Sequence, residues 1–190
     1  MCTGVLNNLL GAETCVTRDF EEIRSADALI LPGVGAFGVA MDRLRELELD
    51  KAIGSFVREE KKPFLGICLG LQLLFESSEE SPGAKGLGIL GGHILRIPDG
   101  EGRKVPQIGW NDLSYPNPGR LFEGIPEGSY VYFVHSFYLR AEDPSIVTAA
   151  AQYGVSIDAA VESGNVFACQ FHPEKSEAVG MKILGNFLAI

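Results

Sequence analysis

The chain has 190 residues, of which 46% are hydrophobic and 22% are charged. These proportions are those of an ordinary globular protein, and the length suits one domain, over residues 1–190, with a sizeable core. A net charge of -9 and the lack of a Lys/Arg-rich stripe argue against nucleic-acid binding. The first residues do not have the pattern expected of a signal peptide and no apolar run reaches 18 residues, so we expect no membrane contact. Four widely spaced cysteines without a C-x-x-C pair predict a reduced, cytoplasmic protein with no metal or cofactor.

The first third of the chain alternates predicted helices and strands. A continuous apolar run such as Ala28 to Leu31 is typical of a parallel strand covered on both faces. The predicted elements before residue 61 are a helix ending at Leu10, a strand over 14–17, a helix over 20–24 capped by Asp19, a strand over 28–31 and a helix over about 39–60. This order predicts an α/β fold with a doubly wound, mostly parallel sheet, whose sites lie at the carboxyl ends of strands.

The most informative stretch surrounds Cys68. A buried strand is predicted over Phe64 to Ile67 and a helix directly after it, so the cysteine lies at the joint, with Gly66 and Gly70 two residues to either side. This is the pattern of a nucleophile elbow, with sulfur in place of oxygen. The amides at the start of the helix, Leu69 first, favour a thiolate and can hold an oxyanion. The alternative is a buried structural cysteine, since that residue type is often buried.

A second glycine pair follows the preceding predicted strand. Taken alone, Gly33-Val34-Gly35 is more typical of a tight turn. Beside a cysteine at a strand end, the same loop becomes a candidate second oxyanion donor, because glycine lets a backbone N–H rotate toward a substrate.

The second half of the chain is rich in short strand patterns separated by turns, which indicates antiparallel pairing. The predicted strands are 88–90, 93–97, 105–108, 130–138, 147–153, 157–162 and 166–171, and a helix over about 177–188 ends the chain. The last strand leads to His172 and Glu174. Pro173 ends that strand and keeps the residue before it extended, so the imidazole and the carboxylate are expected to project together. Although a surface pair is the commoner arrangement, the joint presence of elbow, glycine loop and His-x-Glu favours a Cys-His-Glu triad.

These motifs resemble those of the triad-type (class I) glutamine amidotransferases. Gly-Ile-Cys-Leu-Gly-Leu-Gln at 66–72 and Gln-Phe-His-Pro-Glu-Lys-Ser at 170–176 match the nucleophile and His/Glu motifs of that family. The stretches at 31–38, 105–111 and 132–138 are similar to those of one branch, the glutaminase subunits of imidazole glycerol phosphate synthase. The resemblance implies hydrolysis of glutamine, with the ammonia supplied to a (β/α)8-barrel cyclase partner in histidine biosynthesis.

The resemblance also implies roles for individual residues. Cys68 would attack the glutamine amide, His172 would shuttle the proton, and Glu174 would orient the imidazole. The further implied positions are Leu69, Val34 and Gly35 for the oxyanion, Gln72, Glu80, His135, Ser136 and Phe137 for substrate binding, and Trp110 and Lys175 for the partner interface. From the residues alone, Glu80 could equally belong to a solvated loop, His135 could be a structural histidine, and Trp110 could be core filler.

Two departures from the family pattern accompany the resemblance. The family has a central strand before its first helix, and this chain begins inside that helix, so we expect Met1 to be a mis-assigned or truncated start. Gln107 occupies a position where the family commonly has His. Three alternative functions remain open at this point: another triad amidotransferase, a γ-glutamyl hydrolase, or a truncated, non-catalytic partner-binding subunit.

Overall fold

A five-stranded sheet forms the centre of the molecule. The structure is a computed structural model that describes residues 10–100 and 102–190. In spatial order the strands are β1 (Leu29–Gly33), β2 (Phe64–Cys68), β10 (Val166–Cys169), β9 (Ser156–Ser163) and β8 (Val147–Gln152). The first three run parallel, and β9 and β8 are antiparallel additions. The chain thus returns from its antiparallel half to place β10 directly beside β2.

Both faces of this sheet are covered, as a continuous apolar strand requires. Alternate side chains of β2 face opposite ways: Leu65 packs in one cluster with the C-terminal helix, and Phe64 packs in another with helices from the first third of the chain. The helices are α1 (Phe20–Ser25), α2 (Phe37–Glu46), α3 (Leu49–Arg58), α4 (Leu69–Gln72) and α5 (Glu177–Leu188). The predicted α/β class with a doubly wound sheet and an antiparallel second half is confirmed.

One long helix was expected over about 39–60, and that prediction is wrong. Two helices, α2 and α3, meet at Glu48, whose positive φ of 55° ends the first and starts the second. A helix of that length would extend about 33 Å, whereas a five-residue strand extends about 17 Å. The break lets both halves bury an apolar face over the same short strands.

Two smaller sheets make up the rest of the second half. One contains β3 (Ser77–Ser78), β4 (Gly92–Arg96) and β7 (Phe137–Ala141), and the other pairs β5 (Gln107–Asp112) with β6 (Tyr130–His135). The single strand expected over 130–138 is therefore two strands in different sheets, divided at Ser136. Short 3₁₀ turns at Arg120–Phe122, Pro144–Ile146 and Pro173–Lys175 complete the fold.

Two predicted strands do not form. Residues 14–17 have no regular secondary structure, and β1 has no neighbour on its outer edge among the described residues, so a strand there lacks a ladder. Residues 88–90 instead donate backbone hydrogen bonds to carbonyl groups of the turn that follows α4, such as Ile89 N to Leu74 O, which satisfies these groups without a strand ladder. The helix predicted to end at Leu10 lies, apart from that residue, outside the described residues.

Candidate active site

Cys68 occupies a sharp turn between β2 and α4. Its backbone has φ 56° and ψ -110°, a conformation that a residue with a side chain adopts only where the surroundings impose it. The strain costs on the order of 1–3 kcal/mol. The turn places Cys68 at the carboxyl end of a parallel strand, as the elbow pattern predicts.

The two flanking glycines allow that turn because neighbouring backbone passes against them. A Cβ added to Gly66 would lie 2.7 Å from the carbonyl oxygen of Gly70, and a Cβ added to Gly70 would overlap the carbonyl oxygen of Leu31. Gly33 is the register partner of Cys68 in the adjacent strand. The Val34-Gly35 loop therefore begins beside the nucleophile candidate.

His172 reaches the same region from β10. Cys169, the last residue of β10, pairs with Ile67 of β2, so the chain that continues to His172 runs alongside the elbow. The segment is fixed by β6: His172 N donates to Tyr132 O at 2.9 Å. The hydroxyl of Ser176 donates to His172 O at 2.7 Å and accepts from Tyr132 N at 3.0 Å.

His172 and Glu174 form a hydrogen-bonded pair, with 2.8 Å between Nδ1 and Oε1. The geometry differs from the expectation in two ways. The strand ends at Cys169 instead of Phe171, and Pro173–Lys175 forms a 3₁₀ turn, because proline at the first position of a turn has a suitable fixed φ. The turn still directs both side chains to one side. With Nδ1 engaged, Nε2 is the ring nitrogen left for chemistry.

The electrostatics of the pair favour an ionised carboxylate and imidazolium. Burial disfavours the charged ring, but hydrogen bonding and charge from Cys68 and Glu174 outweigh it and raise the pKa of His172 to about 9. Burial likewise opposes the carboxylate, yet the hydrogen bond from His172 holds the pKa of Glu174 below its usual value. Nε2 of His172 is buried and closes no hydrogen bond. Because His172 interacts electrostatically with Cys68 and lines the same cavity, this nitrogen is available for a proton transfer there.

A cavity of about 300 Å³ opens over these groups. Ten of the predicted site residues line it: Cys68, His172, Leu69, Val34, Gly35, Gln72, Glu80, His135, Ser136 and Phe137, together with Pro106 and Val134. A larger groove of about 360 Å³ lies between α2 and α3, but it is lined by neither a cysteine nor a histidine. Of these two cavities among the described residues, the smaller one combines a nucleophile with a base.

The comparisons with known proteins identify the family. The family model described as "Glutamine amidotransferase class-I" matches residues 7–190. The chain belongs to the class-I glutamine amidotransferase family. It is 49% identical over 175 residues to the imidazole glycerol phosphate synthase subunit HisH of Aquifex aeolicus, covering 92% of this chain and 83% of that one. It is 48% identical over 181 residues to the HisH subunit of Methanothermobacter thermautotrophicus, covering 95% and 88%.

A solved structure titled "Crystal structure of glutamine amidotransferase" superposes with a TM-score of 0.75 at 25% identity, covering 99% of this chain and 90% of that one. The resemblance stated from the motifs is thus confirmed, both for the family and for the HisH branch. Among the helices of residues 10–100 and 102–190, none is long and apolar enough to cross a membrane.

Two of the predicted substrate residues of this amidotransferase, Gln72 and Phe137, belong to a buried polar network that the sequence did not indicate. Gln72 Nε2 donates to Phe137 O at 3.2 Å and to Gln170 Oε1 at 3.0 Å. Gln170 Nε2 in turn donates to the Cys68 sulfur at 3.7 Å. Gln170 is completely buried and was not among the predicted site residues. Its place in the motif, two residues before His172, was the available signal.

His135 is held between two oxygen atoms at the end of β6. Its Nδ1 lies 2.8 Å from Phe137 O, and its Nε2 lies 3.0 Å from Oε1 of Gln107. Burial lowers the pKa of His135 to about 4, so the ring is neutral near pH 7 and can donate from one nitrogen only. Gln107, the departure from the family pattern, is therefore a direct neighbour of a histidine that lines the cavity.

Glu80 has a structural contact as well as a place in the cavity wall. Its Oε2 accepts from the backbone N–H of Phe37 at 2.7 Å, and the hydroxyl of Ser81 accepts from Gly38 N at 3.0 Å. Both acceptors satisfy amides of the first turn of α2. Glu80 thereby fixes the start of α2, which directly follows the loop that carries Val34 and Gly35.

The two residues predicted for the partner interface meet around one ring. Trp110 packs edge-on against Tyr132 with 6.0 Å between ring centroids, and Lys175 Nζ lies 5.7 Å from the centre of the same ring. The neighbouring side chains Ile108 and Tyr130 are also exposed. Trp110 is 46% exposed and is therefore not core filler. Ile108, Trp110, Tyr130 and Tyr132 form an apolar face on the β5–β6 pair, and we call it the hairpin face.

Proposed function

We propose that this amidotransferase hydrolyses glutamine to glutamate and ammonia and supplies the ammonia to a cyclase subunit of imidazole glycerol phosphate synthase, in histidine biosynthesis. The observation that carries the proposal is the meeting of Cys68 with the His172–Glu174 pair at a cavity of about 300 Å³. A cavity of this size is at the lower end of small-molecule sites, which suits an amino acid. The names of the HisH relatives support the choice of synthase.

In the first half of the reaction, the Cys68 thiolate attacks the side-chain amide carbon of glutamine. The C=O electron pair moves to oxygen, and the developing oxyanion is held by the N–H of Leu69, an amide of the first helical turn, which has no partner within the helix. His172 gives its Nε2 proton to the leaving nitrogen, so that the C–N bond breaks and ammonia departs. A γ-glutamyl thioester remains on Cys68.

Water completes the second half. His172, now neutral, takes a proton from the water that attacks the thioester carbon, and the C–S bond breaks to release glutamate and the thiolate. Glu174 holds Nδ1 throughout, which fixes the tautomer and stabilises the imidazolium. The buried Glu174–His172 hydrogen bond supports this positioning role.

The loop of Val34 and Gly35 supplies the second oxyanion donor after its peptide reorients. Val34 is 82% exposed, and Gly35 has φ +104°, a conformation that glycine adopts readily. Binding of the cyclase subunit would favour the active orientation, so the isolated chain is expected to turn over slowly. The hairpin face is the proposed contact for that partner, because exposed Trp and Tyr are enriched in the energetic centres of interfaces.

The decisive experiment measures glutamate release from glutamine, with and without the cyclase subunit, for the wild type and Cys68→Ala. We expect the cyclase subunit to raise wild-type release and Cys68→Ala to reduce it to background. Cys15→Ala is the matched control, because this cysteine is exposed and does not line the cavity. Equal rates for the wild type and Cys68→Ala would remove Cys68 from the mechanism.

A further inference from the structure

A chain of three hydrogen bonds connects a backbone carbonyl to the nucleophile. It runs from Phe137 O to the amide of Gln72, from there to the amide of Gln170, and from Gln170 to the Cys68 sulfur, with donor–acceptor distances of 3.2, 3.0 and 3.7 Å. Gln170 and Gln72 are 0% and 6% exposed. Water therefore has little access to replace any of these bonds.

The direction of every bond in this chain is fixed at its start. The carbonyl of Phe137 can only accept, so Gln72 must turn its NH₂ group toward it. The second hydrogen of that NH₂ group then points to Gln170, which must present its oxygen. The Gln170 amide is left with its NH₂ group facing the sulfur. A donor in this position stabilises a thiolate more than a thiol, because hydrogen bonds to charged groups are the stronger ones.

We infer that Gln170 is a positioning residue of the glutaminase reaction: it donates an N–H to the Cys68 sulfur and holds the thiolate in the orientation from which it attacks. This role rests on the proposed function of Cys68 as nucleophile. Helix α4 has only four residues, so the dipole behind the sulfur is short. A side-chain donor therefore carries a larger part of the stabilisation than it would before a long helix.

Other titratable groups surround the same sulfur and must be kept constant in a test. His172, with Glu174 behind it, faces Cys68 from the β10 side, whereas His135 and Glu80 lie in the cavity wall. None of these four contacts the Gln170 amide in the hydrogen bonds described. A substitution at Gln170 thus removes the amide donor and leaves the ionisable groups in place.

The test compares Gln170→Met, which has a similar length but no donor, with Gln170→Asn, which keeps a neutral amide but is one methylene group shorter and so withdraws the donor from the sulfur. Both are studied in the full chain with the cyclase subunit. The rate of Cys68 alkylation by iodoacetamide is followed from pH 6 to 10 by mass spectrometry of the peptide that carries Cys68, and kcat for glutamate release is measured alongside. Loss of one charge-assisted hydrogen bond predicts a decrease of about 10- to 100-fold in kcat. The alkylation curve should move to higher pH in both variants.

Thr148→Val is the matched control, since the Thr148 hydroxyl is buried without a hydrogen-bond partner and does not line the cavity. It should behave as the wild type in both assays. Wild-type alkylation curves in both Gln170 variants, or kcat within threefold of wild type, would overturn the positioning role. Gln170→Asn introduces no charge and keeps a polar amide in the site, so it decides the question if Gln170→Met does not fold. Full glutamate release by Cys68→Ala would instead refute the proposed function itself.

Discussion

Cys68 and His172 reach the same cavity by different means. Cys68 is positioned by its own backbone: a positive φ, two flanking glycines and close contact with Leu31 fix the turn within a few residues. The segment of His172 is irregular and depends on distant partners, namely Tyr132 of β6 and Ser176. The first arrangement is local and strained, and the second is non-local and hydrogen-bonded. Substitutions near Cys68 and substitutions near His172 should therefore have different consequences.

The largest effect is expected from a substitution in the turn that positions Cys68. In Gly70→Ala the added methyl group overlaps the carbonyl oxygen of Leu31, so β1 and α4 must separate. We expect a loss of about 3 kcal/mol in the free energy of unfolding, measured by urea denaturation, and a parallel loss of glutaminase activity. The control is Gly54→Ala, where the nearest side-chain atom lies 4.0 Å from the added Cβ; this change should stabilise α3 by about 0.5–1 kcal/mol. A Gly70→Ala protein of wild-type stability would contradict the elbow geometry.

The second prediction removes the base without disturbing its backbone. His172→Ala should reduce kcat for glutamate release, in the presence of the cyclase subunit, by about 10²–10⁴-fold, the usual contribution of a general acid–base group. The variant should keep its fold, because the hydrogen bonds that fix this segment involve backbone atoms of His172. His93→Ala, at an exposed histidine, should leave kcat unchanged. Retention of more than a tenth of the wild-type rate by His172→Ala would exclude the proposed role.

The sequence predicted locally determined features better than features that depend on distant partners. The elbow could be read from it because Gly66, Cys68 and Gly70 determine a local turn. The helix over Glu177–Leu188 and the cap at Asp19 were predicted for the same reason. The meeting of Cys68 with His172 could be proposed only from chemistry, since it depends on β10 pairing with β2 across about half the chain.

The failures occurred where tertiary partners decide the structure. Residues 88–90 have a strand-like composition, but their amides donate to carbonyl groups of the turn that follows α4. The break at Glu48 follows from the size of the sheet rather than from helix propensity. Gln170 was missed because no periodicity marks it, and its role depends on two amides that are brought together only by the fold.

The third prediction concerns His135, which lines the same cavity as Cys68 and His172. Its pKa is lowered from 6.5 to about 4 by burial, so between these values the unfolded chain binds a proton that the folded chain does not. Stability from this residue is thus complete above about pH 6.5 and is lost as the pH falls toward 4, by about 3 kcal/mol in total. Urea denaturation of the wild type and His135→Gln at pH 7 and pH 4.5 measures the difference. The wild type should lose more stability on acidification than the variant, and an equal loss in both would contradict the burial of a neutral ring.

The smallest effect is expected from removing one of the hydrogen bonds that fix the segment of His172. Ser176→Ala removes the hydroxyl that joins His172 O to Tyr132 N and leaves two buried backbone groups without that partner. The expected loss is about 1–3 kcal/mol in the free energy of unfolding, with kcat reduced less than in His172→Ala because the imidazole and Glu174 remain. Ser25→Ala, on the exposed end of α1, is the control and should change neither quantity. If the Ser176 variant loses stability but keeps the wild-type kcat, Tyr132 alone is sufficient to position His172. If kcat falls while the denaturation curve is unchanged, the hydroxyl acts on the catalytic geometry and not on the stability of the fold.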